Sequence, residues 1–188
     1  EPHRHTLHAR VGARAHRGRE VVHAAAISAR PERDVVRAQP LQLPAHEGTP
    51  PRNINFVRKL LPGRERLVCL NEADGKLLWV HEWDCPYTTV AAYATGPRAT
   101  PTVDGDSVYA LGSEGDLFCH NSKTGVVRWS CDFKKDYGLK IPEWGTAAHP
   151  LVHGDRLICI VGGGGTTCVA FDKMTGRGLW RALRASQP

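Results

Sequence analysis

Six cysteines, Cys69, Cys85, Cys119, Cys131, Cys159 and Cys168, are the side chains of this 188-residue sequence with the most chemistry to offer. Thiolates hold zinc, and paired thiols form disulfides. Their spacing argues against a metal site, since no Cys-x-x-Cys pair occurs, and Cys69 and Cys119 recur at one place in a repeated segment, as a small buried filler does. Cys85 and Cys131 follow Trp79 and Trp129 closely; whether they pair is not fixed by sequence. Gly162-Gly-Gly-Gly165 could cradle a phosphate but lacks the Lys-Ser/Thr ending of a nucleotide loop. Asp104-Gly-Asp106 opens like a calcium loop, yet no third ligand and no Glu at the twelfth position follow. Both clusters read as hairpin turns. The carboxylates Asp74, Asp104, Asp116 and Asp155 fall singly at turns, where Asp bonds its own backbone. No Ser/His/Asp arrangement and no His-Glu-x-x-His helix is present, so neither a catalytic nor a metal set is predicted.

These residues sit in a repeat. Leu67 to Trp79, Leu117 to Trp129 and Cys168 to Trp180 are three copies of one segment, each with a Gly four residues before a Trp, spaced by 50 and then 51 residues. A second element alternates with the first: Ala99 to Leu111 matches Ala148 to Ile160, with Gly105 and Gly154 49 residues apart. One full repeat carries four short apolar runs, Thr100 to Val103, Ser107 to Leu111, Leu117 to Asn121 and Val126 to Phe133. The separators Asp104-Gly-Asp106, Gly112-Ser-Glu-Gly115 and Ser122-Lys-Thr-Gly125 are turn formers. Each repeat therefore predicts a four-stranded antiparallel meander, and a period near 50 predicts an array.

A lone meander buries little, whereas a radial stack covers both faces of every sheet and leaves only short edges. The expected fold is all-β, a β-propeller fragment of four-stranded antiparallel blades. Trp79, Trp129 and Trp180 are read as residues filling the gap against the next blade, each adding burial of about 1.5–3 kcal/mol. Lys134-Lys-Asp-Tyr-Gly-Leu-Lys140 is read as a solvated loop joining two blades.

The strand followed by Ala/Asn-x-x-Thr/Asp-Gly-x-x-x-Trp, preceded by a Pro-x-Val-x-Gly-Asp hairpin, resembles the PQQ-type (pyrroloquinoline quinone) propeller repeat over about Arg66 to Leu183. Neither the Gly-His and Trp-Asp dipeptides of WD40 repeats nor the double glycine of kelch repeats recurs. The resemblance implies closure with seven or eight blades. The sequence supplies a partial blade at 66–83, a blade at 99–133 and another at 148–183 within a repeat region 54–188, and so reads as about two and a half blades of a larger protein whose partners include the remaining blades of its parent.

In a propeller a ligand lies at the central channel, lined by the first strand of each blade and the segments leading into it. Tyr93 to Arg98 and Ile141 to Gly145 correspond, and with them Arg98, Thr100, Trp144 and His149 become the channel-facing candidates. The alternative reading makes Arg98 a solvated or carboxylate-paired residue and Trp144 a packing residue. PQQ enters only through the resemblance, as the cofactor of quinoprotein alcohol dehydrogenases, where Ca²⁺ polarises the quinone and an Asp is the base. The vicinal Cys-Cys pair common in that family has no counterpart here.

Residues 1–53 have another composition. They hold nine Arg and five acidic residues, a net of +4 out of the total +6, six of the ten His, and no Phe, Tyr, Trp, Lys or Cys. With no sustained period and low hydrophobicity, the segment is expected to be disordered or irregular, or to come from a shifted reading frame. An Arg-rich arm for nucleic acid or anionic membrane ranks last, because no aromatic is available for base stacking, and no nucleic-acid partner is expected. No run of 18 apolar residues occurs, so no transmembrane segment is predicted. The expected function is a binding, scaffold or envelope-assembly module with a protein partner, placed by resemblance in the periplasm or cell envelope of a bacterium; the alternative is a piece of a PQQ-dependent alcohol dehydrogenase.

Overall fold

The computed structural model describes residues 25–29, 34–41, 63–71, 74–88 and 96–183. Among the described residues twelve strands form three four-stranded antiparallel sheets in chain order. β1 (Ala25–Ala29), β2 (Asp34–Leu41), β3 (Arg64–Asn71) and β4 (Leu77–Asp84) make the first. β5 (Thr102–Asp104), β6 (Ser107–Leu111), β7 (Asp116–Asn121) and β8 (Val127–Asp132) make the second, and β9 (Leu151–His153), β10 (Arg156–Gly163), β11 (Thr166–Asp172) and β12 (Gly178–Ala182) the third. Each is a plain meander in which every strand pairs with its sequence neighbour.

The repeated residues fix one register. Cys69 pairs with Trp79, Cys119 with Trp129 and Ala170 with Trp180, and in all three sheets the register shifts at the next residue. This shared bulge lets a five-residue turn close beside the Trp. In that turn Asn121 Oδ1 accepts from the backbone N–H of Lys123 and Thr124, and Asp172 Oδ1 from those of Met174 and Thr175. Gly125 (φ 72°) and Gly176 (φ 73°) then take the left-handed conformation that glycine adopts without strain.

Strand alternation sends successive side chains to opposite faces, and the middle sheet is covered on both. Val108 and Ala110 of β6 point into a core with Leu67, Cys69, Trp79 and Trp83 of the first sheet. Tyr109 and Leu111 point the other way, into a core with Leu157, Cys159, Val169 and Phe171 of the third. Each seam is also tied by its tryptophan: Trp79 Nε1 donates to Ser122 O at 2.8 Å, and Trp129 Nε1 to Lys173 O at 3.1 Å. Trp180, read from sequence as a third packing residue, is instead 41% exposed.

Two strands and a short helix add to what was expected. β1 and β2 lie within residues 1–53, and Asp34 to Leu41 pair residue for residue with Asn71 to Arg64, so the strands at 66–83 form the outer half of a four-stranded sheet. The rest of 1–53 lies outside the described residues. The loop at 134–140 begins as a short helix, α1 (Phe133–Tyr137), because Asp132 caps Lys134 and Lys135 N–H and Gly138 (φ 67°) closes its end. Buried Phe133 anchors it, stacked on Phe171 with ring centroids 6.1 Å apart.

Candidate functional site

The first strands of the sheets approach one another, β5 lying against β1 and β9. The four channel candidates lie on the segments that feed β5 and β9. Thr100 and His149 are brought into direct contact, the Thr100 N–H donating to His149 Nδ1 at 2.6 Å, and Thr102 Oγ1 donates to Pro150 O beside them. Arg98 is half-buried ahead of β5. Trp144 is exposed in the turn closed by the Gly145 N–H on Pro142 O, at 3.0 Å. Among the described residues no group of three His, Cys, Asp or Glu could hold a metal ion. A planar tricarboxylate quinone needs several converging cations and a flat apolar face. Of the four candidates Arg98 is a cation and Trp144, 42% exposed, an aromatic face, while His149 Nδ1 already accepts the Thr100 N–H.

The polar groups that do converge lie in the seam between the first and second sheets. Glu65 stands on β3 two residues before Leu67 and four before Cys69, on the face that meets the second sheet, and is fully buried. Its carboxyl accepts from Ser113 Oγ at 2.6 Å and from Ser113 N–H at 3.2 Å. Burial dominates these bonds and raises its pKa to about 7. A Cβ on Gly112 would lie 2.5 Å from Glu65 Oε2, so a side chain there would have to displace the carboxyl. Cys85 Sγ lies 3.7 Å from Ser113 Oγ, and burial pushes its thiol pKa up, which leaves it a protonated and inert thiol.

The next residue of that turn, Glu114, is also fully buried. It accepts from Thr88 N–H at 2.7 Å and Thr88 Oγ1 at 2.9 Å, and Lys134 of α1 sits 3.8 Å away. Thr146, on the path to β9, closes over the turn with its N–H on Ser113 O at 2.8 Å and its hydroxyl on Gly112 O. One four-residue hairpin turn of the second sheet thus meets β3 of the first sheet, the segment after β4 and the segment that leads to β9.

Further along the same seam, His81 of β4 and His120 of β7 face each other, Nδ1 to Nε2, at 2.9 Å, one ring donating and the other accepting. Trp79 stacks on His120 and Phe118 meets His81 edge-on. Burial, with His81 as neighbour, lowers the His120 pKa to about 3; burial lowers that of His81 as well. At neutral pH the pair is uncharged. The counterpart of His120 in the third sheet is Phe171, stacked on Phe133, so the imidazole pair is particular to this seam.

Sequence reading missed Glu65, Ser113, Glu114, His81 and His120. One signal was legible: Glu65 shares the period-two face of Leu67 and Cys69, and His81 that of Trp79 and Trp83. Glu65 and His120 are locked in contacts between sheets, which suits them to holding the sheets in register. The six cysteines are free, which answers the open question of Cys85 and Cys131. No described helix is long and apolar enough to cross a membrane.

Residues 63–188 match the family model described as "Outer membrane protein assembly factor BamB", which is of the PQQ-like repeat type. Among solved structures, BamB from Moraxella catarrhalis superposes with a TM-score of 0.51 at 18% identity over 87% of this chain and 37% of that one. A europium-containing methanol dehydrogenase (TM-score 0.46, 17% identity, 65% of this chain and 22% of that one) and the quinohemoprotein alcohol dehydrogenase of Comamonas testosteroni (0.46, 16%, 69% and 22%) also match. No protein with a curated description matches. The chain spans well under half the length of the structures it resembles.

Proposed function

This chain belongs to the PQQ-like repeat family described by the BamB outer membrane protein assembly factor, and on that premise we propose that it is a propeller segment of a binding module serving protein assembly in a bacterial envelope, with a protein as its partner. The observation that carries the reading is the use made of the polar groups: Glu65, Glu114, His81 and His120 are spent on bonds between sheets, leaving the outer strands and turns as the surface for recognition. Such a framework holds an array of exposed residues, including Val127 on the second sheet and Val126 just before it.

The test is genetic and biochemical. The protein carrying this chain is expressed in a Gram-negative strain lacking its own assembly factor of this family, and folded outer-membrane β-barrel protein is scored by heat-modifiable gel mobility. Restored folding supports the proposal. Unchanged folding, together with alcohol-dependent dye reduction by the purified protein loaded with PQQ and Ca²⁺, overturns it in favour of the dehydrogenase.

A further inference from the structure

His81 and His120 bring two ring nitrogens to one point inside the molecule. His81 Nδ1 and His120 Nε2 lie 2.9 Å apart across the seam between the first and second sheets. Burial keeps both rings uncharged at neutral pH, so each has a lone pair to give. Aromatic rings enclose them: Trp79 is stacked on His120 with centroids 6.0 Å apart, Trp83 on His81 at 5.5 Å, and Phe118 meets His81 edge-on at 5.0 Å.

Packing does not call for this pair. His81 pairs with Leu67 as Cys131 does with Leu117, and His120 with Val108 as Phe171 does with Leu157. Cys131 and Phe171 therefore hold the same two places between the second and third sheets, where a thiol and a phenyl ring stacked on Phe133 suffice. The imidazole pair also leaves His120 Nδ1 buried without a hydrogen-bond partner, a cost that an apolar pair would not carry.

We propose that His81 and His120 form a two-coordinate site for a soft monovalent cation, Cu(I) or its analogue Ag(I), held between the two facing nitrogens. Imidazole is a good copper ligand, and the two indoles offer the cation their ring faces. Zinc takes four ligands, whereas among the described residues no third His, Cys, Asp or Glu joins the pair. A divalent ion would also suffer more, because the cost of burying a charge grows as its square. A metal–imidazole bond of about 2 Å on each side requires the rings to part by about 1 Å, which half-buried His81 on the outer strand β4 can give. The cation replaces the shared proton, which passes to the far nitrogen of the ring that held it, so none is released. Bound at Nε2, His120 carries its proton on Nδ1, and the Val108 backbone favours a proton on this ring, as a backbone carbonyl does for a ligating histidine. The cation would clamp the first sheet to the second whatever protein partner the module serves.

Nuclear magnetic resonance of the full chain labelled with ¹⁵N-histidine, titrated with Ag(I), tests the site. The six free thiols also take silver, so the readout is the ring nitrogens, since the nuclear spin of silver splits the resonance of a nitrogen bonded to it. His81 Nδ1 and His120 Nε2 should split at the same step. Both splittings should be lost in His120→Phe, which installs the ring found at the counterpart position and whose fold is checked by circular dichroism. Should that variant fail to fold, His81→Gln at the half-buried position replaces it. Cu(I) supplied without oxygen as its bicinchoninate complex should load an additional cation per chain on wild type relative to the variant. Zn(II) should leave both nitrogens unmoved. Ring nitrogens that stay unsplit once the thiols are saturated, splitting at one ring alone, equal Cu(I) uptake by wild type and variant, or Zn(II) binding at both rings would each overturn the proposal.

Discussion

Trp79 lies over Gly125 so closely that a single added methyl carbon on the glycine would sit 2.6 Å from the indole, while the indole N–H reaches past it to Ser122 O at 2.8 Å. Ring, glycine and carbonyl form one contact, repeated by Trp129, Gly176 and Lys173 O at the next seam. The glycine meets two demands at once, a positive φ and the room left by a missing side chain.

Gly125→Ala should therefore cost more than a left-handed alanine costs elsewhere. Gly105, with φ 55° and nothing within 4 Å of an added Cβ, isolates the backbone penalty of about 1–2 kcal/mol. Displacing Trp79 adds about 1–3 kcal/mol of overpacking. Urea unfolding of Gly125→Ala against Gly105→Ala measures the difference, and equal losses would show that Trp79 yields freely.

Trp129→Ala should remove about 3 kcal/mol or more, since the ring packs on the core shared by the second and third sheets. The same change at Trp180, exposed in the isolated chain, should cost under about 1 kcal/mol when unfolding is followed at a concentration where the chain is monomeric. Comparable losses at the two positions would contradict the packing described.

Glu65 sets a pH dependence. Its folded carboxyl keeps a proton up to about pH 7, whereas the unfolded chain releases it near 4.5, so between those values the folded state binds more protons. The stability this contributes is fully present below about pH 4.5 and is lost as pH rises through about 7, a change on the order of 3 kcal/mol. Glu65→Gln, which keeps an acceptor for Ser113, should match wild type near pH 5 and exceed it near pH 8. The neutral His81–His120 pair works in the opposite sense, losing stability as pH falls below 6.5, so the two proteins are compared at each pH and not across it. Parallel stability profiles for wild type and variant would rule out a protonated Glu65.

What the sequence determined by itself was everything that repeats. Glycine four residues before tryptophan, the Asn or Asp that caps the turn, and runs of alternating apolar residues are local signals, because a turn and a strand are made by residues near one another in the chain. They were enough to place the strands of the second and third sheets, to make Cys69 and Cys119 buried fillers and to read the two glycine clusters as turns. The polar seam was decided by tertiary structure alone. Glu65 meets Ser113 across 48 residues and His81 meets His120 across 39, and no local pattern records which strand faces which. The same holds for the difference between Trp129 and Trp180, identical in their repeats: burial belongs to the neighbour that packs on a residue, and only the assembled sheets show which tryptophan has one.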